Sequence, residues 1–224
     1  MTFSIAASCA ATGMFGVAIS SSSPAVAARC AHARAGVGAV ATQNITDPSL
    51  GPALLDAMAA GAAAATALAR IVATRSHIEY RQLIAVDRQG STAHFSGTHT
   101  LGRHAVAEGE GAVAAGNLLA NENVPAAMVA AFGEAPDDLG SRLVAALKAG
   151  LDQGGEAGPV HSAGLLLVDR VSWPVADLRV DWHEDDPIGA LAALWDLYRP
   201  QMQAYVDRAL DPAKAPSYGV PGDE

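Results

Sequence analysis

The chain opens with short runs of β-branched and apolar residues, not with a helical stripe. Residues 2–7 and 14–21 each read as a strand, and the Ala-Ala-Thr-Gly stretch ending at Gly13 supplies turn chemistry between them, which predicts a hairpin. After Ser21-Ser22-Ser23-Pro24 an Ala-rich stretch leads to residues 36–43, where Gly and Val alternate as in a strand packed closely by neighbouring backbone. The period changes from Asp47-Pro48 onward. Leu54, Leu55, Met58, Ala62, Ala65 and Leu68 recur at helical spacing, and Gly61 marks a break between two helices. Strand patterns return at 80–87 and 91–96, joined by the Arg88-Gln89-Gly90 turn, and again at 105–107 and 112–115, as a second meander. Helical spacing resumes over 124–132 and over 139–151, where Asp137 or Asp138 is placed to cap the start and Gly150 sits near the end. Residues 162–168 form a buried-strand run and 178–182 a shorter one. Residues 187–210 read as a final amphipathic helix opened by Pro187. From Asp211 the chain is Pro-rich and is expected to be loosely ordered.

Strands therefore come as hairpins and helices as pairs. That order predicts mainly antiparallel sheets with helices segregated outside them, and the simplest such layering is a four-layer αββα sandwich of the α+β class. A length of 224 residues fits one domain spanning 1–224. Hydrophobic residues make up 50% and charged residues 17%, so the chain can bury a large core. Its net charge of −9 and sparse basic residues, the lysines being only Lys148 and Lys214, argue against nucleic acid as a partner. Cys9 and Cys30 are too few for a disulfide framework and lack metal-site spacing, which fits a reducing compartment. The apolar start lacks a basic n-region and is interrupted by Gly13 and Gly16. The expectation is a cytoplasmic protein with neither signal peptide nor membrane span.

Among residues that could carry chemistry, Thr2 stands first. Removal of Met1 would leave a free amine beside the Thr2 hydroxyl. A hydroxyl is a poor nucleophile without a base in hydrogen-bond reach, and an α-amine with a pKa near ~7.7–8 suits that role at neutral pH. Nucleophile and base then belong to one residue. The same two letters also begin many chains with no such chemistry.

Resemblance adds to this reading. Met1-Thr2-Phe3-Ser4-Ile5, Gly16-Val17-Ala18 with its serine run, and the 35–43 segment resemble the domain-of-unknown-function 1028 family. So do Asp47-Pro48-Ser49-Leu50-Gly51-Pro52, Gln82-Leu83, Val86-Asp87, Gly116-Asn117-Leu118-Leu119 and Leu178-Arg179-Val180-Asp181 with His183. That family is grouped with the N-terminal-nucleophile hydrolases. The resemblance implies the αββα fold and C–N bond hydrolysis, with Thr2 at the nucleophile position, and supplies no substrate; the expectation is an amide or peptide-like bond in a small molecule. The oxyanion of such a reaction needs preorganised donors. Thr42, Gln43 and Asn44 on one matching segment and Asn117 on another are candidates, and Ser20 and Ser21 could line the same cleft. Asn117 reads equally as a turn residue and the serine run as loop chemistry. The chain departs from the proteasome-like branch in having no lysine before Lys148. Arg29 or Arg34 could supply the positive charge, but an arginine cannot shuttle a proton at neutral pH.

Rival constellations are thin. His94, His99 and His104 are spaced by fives, and His94 and His99 differ in strand-face parity, so no metal is expected. The Trp182-His183-Glu184-Asp185-Asp186 stretch reads as an acidic loop capping the last helix. No G-x-S-x-G elbow occurs, and Gly36-x-Gly38 follows no βαβ pattern, so neither a serine triad nor a dinucleotide cofactor is expected. Three functional readings remain, in this order: an amide hydrolase acting through Thr2, a non-catalytic binding or assembly scaffold on the same fold, and a metal-assisted hydrolase. The Ala-rich helices, with flat faces, suggest a homodimer or larger homo-oligomer.

Overall fold

The structure is a computed structural model that describes residues 1–135 and 138–220. Strands β1 (Thr2–Ser8) and β2 (Phe15–Ser21) form the expected hairpin. A single helical turn, α1 (Ala27–Cys30), runs straight into β3 (Ala31–Arg34), and both were hidden in the Ala-rich stretch. The chain then reverses through Gly36, at φ 68°, into β4 (Gly38–Asn44). Helices α2 (Leu50–Ala59) and α3 (Ala64–Thr74) follow, separated at Gly61. The expected apolar stripe loses phase across that break: Ala62 is half-buried and Ala65 exposed, while Ala64, Ala67 and Ile71 are buried instead.

Strands β5 (Arg81–Asp87), β6 (Thr92–Ser96), β7 (Ala105–Gly109) and β8 (Ala112–Asn117) come next. They are two hairpins, but not one meander: β5 and β6 extend β3 and β4 in a sheet ordered β3-β4-β5-β6, whereas β7 and β8 join the other sheet. Helices α4 (Val124–Glu134) and α5 (Leu139–Asp152) follow. The Asp138 side chain caps α5 by accepting from Ser141 N at 3.0 Å, and Asp137 lies outside the described residues. Strands β9 (Ser162–Val168) and β10 (Ala176–Val180) complete a six-stranded sheet ordered β10-β9-β2-β1-β8-β7.

The expected final helix is divided into α6 (Pro187–Tyr198), a 3-10 turn (Arg199–Gln201) and α7 (Met202–Leu210). Pro200 accounts for the division, since it has no N–H and its ring crowds the carbonyl one turn earlier. The acidic loop before α6 caps it as expected, Asp186 accepting from Gly189 N at 2.7 Å. Past α7, Arg208 Nε and Nη2 donate to the Pro216 and Ser217 carbonyls at 3.1 and 3.0 Å, so residues 216 and 217 fold back on the helix. Residues 221–224 of the expected loose tail lie outside the described ones.

Every strand pair is antiparallel, and the layering is αββα. Alternation along each strand explains why. Phe3, Ile5 and Ala7 of β1 face α4, α5 and α6, joining Met128, Leu143, Leu147 and Trp195. Ala6, Val17, Ala39, Ala41, Ile84, Val86, Val113 and Ala115 fill the space between the sheets. Val40, Leu83 and Ala85 face the α2 and α3 side chains. The middle layer is built largely from Ala and Val, which lets the two sheets approach closely. Among the described residues no helix is long and apolar enough to cross a membrane.

Candidate functional site

The two-residue period of a strand decides which side chains can meet at the start of β1. Thr2 and Ser4 share parity with Ala6 and so point between the sheets. The same alternation turns Ser21 of β2, Gln43 of β4, Gln82 of β5 and Asn117 of β8 into that space, each continuing a row of apolar middle-layer residues. The middle layer is therefore apolar along most of its length and polar at one end.

At that end the groups interlock. Ser4 Oγ donates to Gln43 Oε1 at 2.7 Å. Gln43 Nε2 donates to Gln82 Oε1 at 2.8 Å and to the Ala115 carbonyl at 3.3 Å. Gln82 Nε2 donates to the Gly116 carbonyl and to Ser96 Oγ, both at 3.1 Å. Asn117 Nδ2 donates to Gln82 Oε1 at 3.1 Å. This chain of donors fixes each amide's orientation and leaves Asn117 Oδ1 buried without a partner. Thr2 and Asn117 are directly opposed residues of the β1–β8 pair, which sets their Cβ atoms about 4.5–5.5 Å apart.

Thr2 is 5% exposed. Its hydroxyl donates to the Met1 carbonyl, which also accepts from Ser21 Oγ, and the two hydroxyl oxygens lie 3.4 Å apart. Ser21 Oγ is 2.8 Å from Ser23 Oγ, to which Arg29 Nη2 donates at 2.6 Å. A guanidinium thus backs the serine run. Arg34, the other early arginine, pairs instead with Asp56 at 2.8 Å on the surface.

Not every expected residue joins this cluster. Ser20 has the opposite parity to Ser21 and donates to the Ser162 carbonyl at 2.9 Å. Thr42 likewise points away from Gln43 and donates to the Asp47 carbonyl at 3.3 Å. Asn44, at φ 73°, organises a loop: its Nδ2 donates to the Tyr80 carbonyl at 2.6 Å and its Oδ1 accepts from Leu101 N at 3.1 Å.

Glu156 is the residue that sequence reasoning missed. It lies in a Gly-rich loop after α5 that is held beside the end of β8 by a Leu119–Glu156 bridge and an Ala157 N to Leu118 O bond of 2.9 Å. Glu156 is 4% exposed, and both carboxylate oxygens accept from Ser22 N, at 3.1 and 3.2 Å. Burial pushes its carboxyl up to about 7, although the chain's α-ammonium, Ser22 and His161 pull it down. The visible signal was a lone acidic residue among Gly154, Gly155 and Gly158, and it had no motif.

A well-formed concavity lies elsewhere. A cavity of about 520 Å³, lined by residues including Cys9, Phe15, Arg88, Phe132 and Arg142, opens at the opposite end of β1. That is roughly 20 Å along the strand from Thr2. Its polar lining is mainly Arg88, Gln89, Glu110 and Arg142, with no hydroxyl beside an amine to act as nucleophile and base, so the Thr2 end remains the better chemical candidate. The spaced histidines do not converge: His94 is 4.0 Å from Glu108, His99 packs edge-on to Tyr80, and His104 Nδ1 lies 3.2 Å from the Gly102 carbonyl. Among the described residues no group of His, Cys, Asp and Glu is arranged to hold a metal ion.

Comparison with known proteins bears on the whole chain. No curated protein matches it. A crystal structure of a Silicibacter pomeroyi protein of the DUF1028 family is similar over 88% of each chain, at 30% identity and a TM-score of 0.82. Anbu, an ancestral beta-subunit from Yersinia bercovieri, matches at 9% identity and a TM-score of 0.38 over 91% of this chain and 97% of its own. The model of DUF1028, a family of unknown function, matches residues 2–191, and the chain belongs to that family.

Proposed function

We propose that the protein is an N-terminal-nucleophile amide hydrolase in which Thr2, freed of Met1, attacks the carbonyl carbon of a small amide. The observation that carries this reading is the convergence of Thr2 Oγ1, Ser21 Oγ and the buried Asn117 side chain on the start of β1, with buried Glu156 held beside them on Ser22 N. The α-amine takes the hydroxyl proton as Oγ1 bonds to carbon, and the departing amine leaves protonated. Water then hydrolyses the resulting ester. Ser21 Oγ donates to the Met1 carbonyl in the unprocessed chain, so it is placed to donate to an acyl oxygen beside Thr2. Asn117 Nδ2, steered by Gln82, is a second donor at the same edge.

A second reading is favoured by one observation: Thr2 is almost fully buried and its hydroxyl is already engaged with the Met1 carbonyl. On that reading the fold is a scaffold and the polar end is structural. The two separate on turnover. Against a panel of small amides, Met1-free protein should hydrolyse at least one substrate, and Thr2→Ala should lose roughly 10³-fold or more in kcat. Equal activity in both proteins rejects Thr2 as nucleophile.

A further inference from the structure

We propose that Glu156 is a positioning residue that seats the α-amine of Thr2 and stores its proton, with Asn117 Oδ1 as the second acceptor of the seat. The proposal rests on the Thr2 reading above and adds the group that sets the amine's charge. Geometry carries it. Both acceptors are buried to nine-tenths or more, Asn117 Oδ1 has no partner, and Glu156 has only the Ser22 amide between its two oxygens. A buried carboxylate and a buried amide oxygen left short of donors are costly unless a donor-rich group sits between them. An α-ammonium carries three N–H donors, and the start of β1 lies beside both. Thr2 pairs directly with Asn117, and the Leu119–Glu156 bridge holds the carboxylate loop just past Asn117.

The groups facing Glu156 are the α-ammonium of Met1, one residue ahead of Thr2, Ser22 N from the end of β2, and His161 ahead of β9. The Cys30 thiol of α1 faces the same amine. Arg29 is held by the Pro24 and Ala25 carbonyls and Ser23 Oγ. Burial brings the carboxyl to about 7, close to the ordinary range of an α-amine near ~7.7–8, so one proton passes between them at small cost. In that transfer the ammonium and carboxylate become a neutral amine and a neutral acid. The amine's freed lone pair then accepts the Thr2 hydroxyl proton as Oγ1 attacks.

The test is a titration that needs no turnover. NMR on threonine-labelled, Met1-free protein reads the midpoint of the Thr2 amine in the wild type and in E156Q. Removing the carboxylate should lower that midpoint by about one pH unit or more, since an adjacent negative charge favours the ammonium. An unchanged midpoint overturns the proposal. Should E156Q fail to fold, E156D keeps the charge one methylene further back and must lower the midpoint by a smaller amount; no change there overturns it equally. The two readings fail separately. A shifted midpoint with turnover surviving Thr2→Ala keeps the seat and removes the nucleophile, whereas an unchanged midpoint with Thr2-dependent turnover removes the seat alone.

Discussion

Gln82 ties the two sheets together at the polar end of their shared layer. Its Oε1 accepts from Gln43 and Asn117, and its Nε2 reaches the Gly116 carbonyl and Ser96. Gln82→Leu keeps the volume but strands buried donors on both neighbours, and each unsatisfied group costs about 1–3 kcal/mol. We predict a loss of roughly 2–4 kcal/mol in denaturant unfolding. Glu156 gives a pH signature at the same scale. Its folded carboxyl titrates at about 7, above the ordinary 4.5, so between those values the folded state binds more protons than the unfolded state. Its contribution is full below about pH 4.5 and is lost as pH rises through 7. The stability of wild type relative to E156Q should therefore fall across that window, by at most about 3 kcal/mol. A flat difference would contradict the assigned burial.

At the level of elements, the close approach of α5 to α6 depends on Gly140. A Cβ there would stand 2.3 Å from Trp195 Cζ2, and Trp195 is 2% exposed. Gly140→Ala should cost about 1–3 kcal/mol by overpacking, read as a lowered thermal midpoint. Elements also show what the sequence could and could not reveal. The β1–β2 hairpin, both helix pairs and the Asp186 cap were legible because period, turn residues and capping chemistry agree locally. β3 was not, because Ala31, His32, Ala33 and Arg34 carry no strand signature and become a strand through pairing with β4. The division of residues 81–117 between two sheets was equally hidden, since hairpins look alike whichever sheet they join.

For the whole molecule, the αββα layering followed from element order, while the site followed only in part. Thr2, Ser21, Gln43 and Asn117 meet because parity along four strands aligns them. Ser20, Thr42 and Asn44 were named from the same segments, but two of them have the wrong parity and one serves a loop. Glu156 arrives from a distant loop, a placement that only the tertiary structure sets. Assembly belongs to this scale too. The outer surface of α2 and α3 exposes Ala59, Ala60, Ala63, Ala65 and Ala69, a smooth face suited to self-association, and light scattering should give a dimer or larger. A monomer at all concentrations removes that expectation. The central claim is that Thr2 acts through its own free amine, and the intact mass of protein isolated from its native host tests it most directly. The account predicts a mass lacking Met1, with amide turnover that disappears in Thr2→Ala; a mass retaining Met1 in that host would contradict it.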